Sequence, residues 1–202
     1  MSEIQTNNPT NAGTARVLDE KLLFRGNWAE IVEFSYEDDK KQVRKWEGLH
    51  RKHRAEAVII VARMQPSGRF IIIRQFRPPT NSYILEFPAG LVDPGESQET
   101  TAIRELFEET GYRAKRWARA GVMHPVISYS TEFNEIWFAQ DLSLGERQLD
   151  PGEFLEVITQ TPEALQQACL KGEVTDGKTL TGMFWLQNYL SGQHELTWVN
   201  AT

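Results

Sequence analysis

The chain has 202 residues, 40% hydrophobic and 25% charged, with a formal net charge of −6. That length fits one large domain or a domain with an appendage, and the composition allows a sizeable core. An acidic balance argues against a general nucleic-acid or anionic-membrane binder, so an anionic substrate must be met by local Arg and Lys or by metal.

Residues 1–15 are polar and read as a disordered arm with no positive-then-apolar leader pattern. From Val17 to Arg51 the chain reads as short strands. "WAEIVEFSY" alternates roughly apolar and polar, "EDDKK" is a turn, and "VRKWEGLHR" follows. Residues 16–52 are therefore expected to form a small antiparallel β unit ahead of a main body at 53–202. "AVIIVARM", the turn "QPSG" and "RFIIIRQF" read as a hairpin of buried strands. The apolar runs within it are too short to span a bilayer. "YILEFPAG" is a further strand, broken by Pro88.

A Pro94-Gly95 turn then leads to a helix with Ser97 as cap, Glu99 in its first turn and Gly111 as a left-handed stop. Strands are expected at "RWARAGVM", "NEIWFAQDL" and "FLEVITQ". Helices are expected from Pro162 to Lys171 and from about Thr179 to Leu190. Strands around embedded helices make an α/β or α+β layered domain. The single cysteine, Cys169, permits no intramolecular disulfide and fits a reducing cytoplasm; it is expected to be buried on its helix.

The helix after Ser97 carries Glu105, Glu108 and Glu109 within about 100° of arc, apart from the apolar arc of Ala102, Ile103, Leu106 and Phe107. Such like charges repel by roughly 0.2–0.5 kcal/mol per pair. A solvated acidic face is one reading. A site for a hard cation is the other, because Mg²⁺ and Mn²⁺ prefer carboxylate oxygens.

The order of the residues decides between them. Gly90, five residues, Glu96, seven residues, then Arg104-Glu105-Leu106-Phe107-Glu108-Glu109-Thr110-Gly111-Tyr112 meets every position of the Nudix box, Gx5Ex7REUxEExGU, with Tyr112 the loosest fit. The chain thus resembles a Nudix hydrolase. The resemblance implies the family's α/β/α sandwich. It also implies Mg²⁺, or Mn²⁺ in its place, held by Glu105, Glu108, Glu109 and the Ala89 carbonyl beside a diphosphate. Gly90 and Glu96 would shape the box. Arg104 would pair with carboxylates such as Glu96 and counts, with Glu108, in the catalytic group.

The flanks narrow the substrate. "QFRPP" and "EFPAG" resemble the ADP-ribose and ADP-sugar pyrophosphatase branch. There Arg77 would contact the diphosphate, as a guanidinium fork suits phosphate. Glu86 would line the same pocket or simply satisfy Arg77. "RGNWAEIVEF" and "VRKWEGLHR" resemble the same branch's N-terminal strands, so Trp28 and Trp46 would stack on adenine while Glu47 and Arg51 hydrogen-bond it. The alternative is that both tryptophans are core of a small sheet. Trp117, Trp137, Trp185 and Trp198 read as packing. Relatives exchange this sheet between subunits, which implies a homodimer with shared active sites.

One feature departs from the branch. Pro125 stands thirteen residues after Tyr112, earlier than the proline that often marks it, and this leaves the second sugar open. For the general base, Glu153 in "DPGEFLEV" is favoured over Glu132 and Glu156. The expected activity is hydrolysis of an ADP-sugar, ADP-ribose foremost, to AMP and ribose 5-phosphate. GDP-mannose or broad NDP-sugar hydrolysis, and a non-catalytic nucleotide-sugar sensor, are the alternatives. No nucleic-acid or membrane partner is expected.

Overall fold

A computed structural model describes residues 13–52, 56–146, 148–149 and 154–201. The chain forms two units. One consists of the N-terminal strands with Val126–Thr131, the other of the rest.

In the first unit β1 (Arg16–Arg25), β2 (Ala29–Glu37) and β3 (Val43–Arg51) make an antiparallel meander in the order β1-β2-β3. The β2–β3 turn is fixed by Asp38, whose Oδ1 accepts the amides of Lys40 and Gln42, each at 2.9 Å. Of the expected disordered arm, residues 1–12 lie outside the described residues. At its end, the amides of Thr14 and Ala15 donate to Asp39 Oδ1 at 2.7 and 3.0 Å.

The second unit holds β4 (Ala57–Ala62), β5 (Phe70–Arg77), β6 (Ser82–Glu86), β7 (Ala89–Leu91), β8 (Tyr112–Met123), β9 (Asn134–Leu144), β10 (Leu155–Gln160) and β11 (Val199–Asn200). Its helices are α1 (Gln98–Thr110), α2 (Pro162–Leu170) and α3 (Gly177–Leu190). The strands form a five-stranded sheet ordered β11-β8-β9-β4-β7 and a three-stranded sheet ordered β10-β5-β6. β4 runs parallel to β9 and antiparallel to β7.

All six residues of β4 are buried, because it is covered on both faces. Val58, Ile60 and Ala62 meet Ala102 and Leu106 of α1. Ile59 and Val61 meet Leu165 of α2 and Met183 and Leu186 of α3. That is an α/β/α sandwich in residue terms. Trp117 and Trp137 lie in the core on the α1 side, and Trp185 and Trp198 pack against the other core, as expected of packing residues.

One strand reading is corrected. β4 and β5 are not a hairpin: they belong to different sheets, and an isolated bridge between Arg63 and Phe70 closes the turn that connects them. An unbroken apolar run reports burial on both faces and does not reveal the pairing partner. The break expected at Pro88 in "YILEFPAG" is present, and its two halves join different sheets. Pro88 cannot continue the β6 ladder, and its carbonyl instead accepts Ile60 N at 2.8 Å. Cys169 is half-buried in α2 rather than buried. Among the described residues no helix is long and apolar enough to cross a membrane.

Candidate active site

Helix α1 begins and ends where its caps dictate. Ser97 Oγ accepts Thr100 N at 3.1 Å, and Gly111 closes the helix at φ 77°. Arg104 gathers the carboxylates around it. Its Nε donates to Glu96 Oε1 at 3.1 Å, and its Nη1 donates to Glu105 Oε1 at 2.8 Å and to Glu108 Oε2 at 2.9 Å. Burial opposes the Arg104 charge, but Glu96, Glu108 and Glu105 together hold its pKa above the ordinary value. In return the Arg104 guanidinium, against some desolvation and with help from Thr101 Oγ1, holds Glu96 below the usual carboxylate range.

The acidic arc is not one uniform solvated face. Glu105 and Glu108 are partly exposed, but Glu109 is 2% exposed, and its Oε2 accepts Ala89 N at 3.1 Å. Ala89 and Gly90 sit on edge strand β7, opposite Ile59 and Val58. Since Ala89 N turns toward Glu109, its carbonyl faces that same outer edge, away from β4. A Cβ on Gly90 would come within 1.9 Å of Glu105 Cδ, so the Glu105 carboxyl rests directly on the Gly90 backbone.

Arg77, at the end of β5, lies against Glu86, which is fully buried on β6. Nε and Nη2 of Arg77 donate to Oε1 and Oε2 of Glu86 at 2.7 and 2.8 Å, a bidentate fork. Burial works against the Arg77 charge, yet Glu86, with Glu109 and Asp176 further off, holds its pKa above the ordinary value. The field of Glu109 at Arg77 links this pair to the box. Lys178, near the start of α3, also donates to Glu86 Oε2. Sequence reasoning missed Lys178, which lies far along the chain in a stretch with no motif.

Register settles where the β5 neighbours face. Ile73 pairs with Glu86, and Arg77 follows at even spacing on the same face. Glu156 pairs with Arg74, on the opposite face, and is tied to it at 2.9 Å. That places Glu156 on the face away from Arg77. Glu132 lies just before β9. Glu153 lies outside the described residues.

In the N-terminal unit Trp28 is 77% and Trp46 54% exposed, so neither is a core residue. Trp46 Nε1 donates to Ser128 O at 2.7 Å, and Leu49 N donates to Tyr129 O at 2.6 Å. His50, buried, meets Thr131 Oγ1 at 2.6 Å and Glu20 Oε1 at 2.9 Å. The segment Val126–Thr131 is thereby bound to β3. Along β3, Glu47 and Arg51 alternate with Trp46, so they point to the other face of the sheet. Trp46 and the Glu47–Arg51 pair do not converge within this sheet.

Among the described residues no three His, Cys, Asp or Glu side chains are assembled as a ready-made metal cage. The donor set nevertheless fits a hard divalent cation. Glu105, Glu108 and Glu109 offer carboxylate oxygens, the first lying in a cradle that a Cβ would fill. Mg²⁺ typically takes one or two carboxylates together with substrate phosphates and water, and needs no all-protein cage.

Comparison with known proteins agrees with this geometry. The NUDIX domain family matches residues 53–181. The chain is 38% identical over 133 residues to an ADP-ribose pyrophosphatase of Bacillus subtilis, covering 65% of this chain and 71% of the relative. It is 34% identical over 170 residues to an ADP-sugar pyrophosphatase of Mus musculus, 78% of each chain. A crystal structure of an ADP compounds hydrolase matches with a TM-score of 0.77 at 26% identity, covering 89% of this chain and 95% of that one. With every box position filled and the box carboxylates held around Arg104 and Gly90, the chain belongs to the Nudix family of hydrolases.

Proposed function

We propose that this protein hydrolyses the diphosphate of ADP-sugars, with ADP-ribose giving AMP and ribose 5-phosphate. The observation that carries the reading is Arg77, whose fork is held edge-on by buried Glu86 beside the box carboxylates. Two of its three nitrogens are used on Glu86. Among the described residues Nη1 has no acceptor, so one edge of the guanidinium is left for a phosphate. The relatives named for ADP-ribose and ADP-sugars support the same substrate class.

Glu105, Glu108 and Glu109, with the Ala89 carbonyl, would hold Mg²⁺, for which Mn²⁺ could substitute. Bound there, the ion would neutralise phosphate charge and lower the pKa of a water. The remaining work belongs to the protein. Arg77 binds and orients the diphosphate. Arg104 fixes the carboxylates, and Gly90 lets Glu105 approach the backbone. A carboxylate takes the proton of the attacking water; Glu153 is our choice, and the face on which Glu156 lies argues against that rival.

Trp28 and Trp46 serve as the stacking surfaces for adenine, and Glu47 and Arg51 as its polar readers. The division of Trp46 from Glu47 and Arg51 between two faces of one sheet supports a homodimer in which each base is gripped by residues of both chains. Exposed Val17, Leu18, Leu22, Leu23 and Phe24 on β1 support the same assembly. We place the protein in the reducing cytoplasm, in keeping with free Cys169.

The test is chromatography of products after incubation with ADP-ribose, ADP-glucose, GDP-mannose, NADH and ATP, each with Mg²⁺. AMP arising chiefly from ADP-ribose, and lost in Glu109→Gln, is the expected result. GMP from GDP-mannose with ADP-ribose left intact would overturn the substrate assignment.

A further inference from the structure

Glu86 is a carboxylate with no solvent contact and two cationic partners. A buried charge must be paired, and Arg77 alone supplies a bidentate pair. Lys178 is therefore surplus to the plain requirement of neutralising Glu86. It is held firmly all the same: its side chain is 18% exposed, and Nζ lies 3.0 Å from Asp176 Oδ2 as well as on Glu86 Oε2. Asp176 caps α3, its Oδ2 accepting Thr179 N at 2.9 Å and Thr179 Oγ1 at 2.7 Å. Phe87 N donates to Thr179 Oγ1 at 3.0 Å, which ties the strand carrying Glu86 to the helix carrying Lys178. The ammonium is thus delivered to Glu86 by a rigid helix start, not by a wandering surface side chain.

The electrostatic consequence falls on Arg77. An arginine whose charge is fully answered by its own carboxylate offers little net attraction to an anion. Where a second cation shares that carboxylate, the arginine keeps part of its charge for another partner; Asp176 balances the added charge, but it pairs with Lys178 and reaches Arg77 only through its field. Resting on the reading of Arg77 as a diphosphate-binding group, we propose that Lys178 is a positioning residue for the diphosphate site: by sharing Glu86 with Arg77, it keeps the free edge of Arg77 cationic toward the substrate.

The role differs from direct contact and from mere stability, and a mutant cycle separates the three. Lys178→Met should raise the KM for ADP-ribose about tenfold, the size of one charge-assisted contact, with kcat changed far less. Lys178→Arg should restore most of that loss. In a Glu86→Gln background, where no buried carboxylate remains to be shared, Lys178→Met should add little.

Calorimetric titration with inorganic diphosphate and Mg²⁺ gives a readout independent of turnover, and the same about tenfold weakening is expected there. If the wild type hydrolyses no ADP-sugar, the substrate reading fails, and diphosphate binding still tests Lys178. An unchanged diphosphate affinity in folded Lys178→Met would overturn the inference. So would an equal loss in the Glu86→Gln background, which would mean that Lys178 touches the ligand itself. Should Lys178→Met not fold, Lys178→Gln carries the same comparison.

Discussion

The carboxyl of Glu105 rests on the backbone of Gly90, so close that a Cβ at position 90 would lie 1.9 Å from Glu105 Cδ and 2.0 Å from its Oε1. Any side chain there must push the glutamate off β7. The atoms in the way are the end of a flexible side chain, so the glutamate can swing aside at little cost in stability. The displaced carboxylate loses its place on Gly90, and a misplacement of about 1 Å can cost about a hundredfold in rate. Gly90→Ala is therefore expected to lose about a hundredfold in kcat with little change in Tm. Wild-type turnover by Gly90→Ala would show that Glu105 need not sit there.

The box was legible because its chemistry is local. Residues three and four apart on one helix share a face whatever surrounds them, so the shared arc of Glu105 and Glu108 and the Ser97 and Gly111 caps could be placed from spacing, while the role of Arg104 came from the resemblance to the Nudix box. The depth of Glu109 could not, because its burial depends on β7, which packs on α1 from outside the helix. The β4–β5 hairpin failed for a related reason: two continuous apolar runs carry no alternation to say which sheet each joins. Lys178 was invisible because its meaning lies in a contact with Glu86 across 92 positions. The exposure of Trp28 and Trp46 had two readings in the sequence, and the structure removes the core one.

That exposure makes the tryptophans reporters. An aromatic side chain stacked on a base contributes about 1–3 kcal/mol, so Trp28→Ala and Trp46→Ala should each raise the KM for ADP-ribose by about five- to a hundredfold. AMP should quench intrinsic fluorescence in the wild type and less in either variant. Buried Trp117 and Trp137 supply an unchanging background. Variants with unaltered KM and full quenching would place adenine elsewhere.

Metal removal gives a separate prediction. Because no described group of three ligating side chains is preassembled, the cation should bind weakly without phosphate ligands. EDTA is expected to abolish turnover, and Mg²⁺ to restore it. The thermal shift produced by Mg²⁺ and AMP together should exceed the sum of their separate shifts, since each completes the other's site. A large shift from Mg²⁺ alone would mean that the box carboxylates form a complete cage without substrate.

Acid should act through Glu96. Its carboxyl, ordinarily titrating near 4.5, is held lower by Arg104. A group whose folded pKa is depressed adds stability that is present above the unfolded value and lost as the pH falls through the folded one. The contribution should thus be intact at neutral pH and decay below about pH 4.5, the unfolded reference. Urea midpoints taken from pH 7 to pH 3 in EDTA should fall more steeply on the acid side for the wild type than for Glu96→Gln, which has no proton to take up there. Glu96→Gln should also be the less stable at pH 7, because Arg104 loses one of its charged partners while Thr101 Oγ1 keeps an acceptor. Parallel acid limbs in the two proteins would mean that the Arg104–Glu96 pair contributes nothing to the pH dependence of folding.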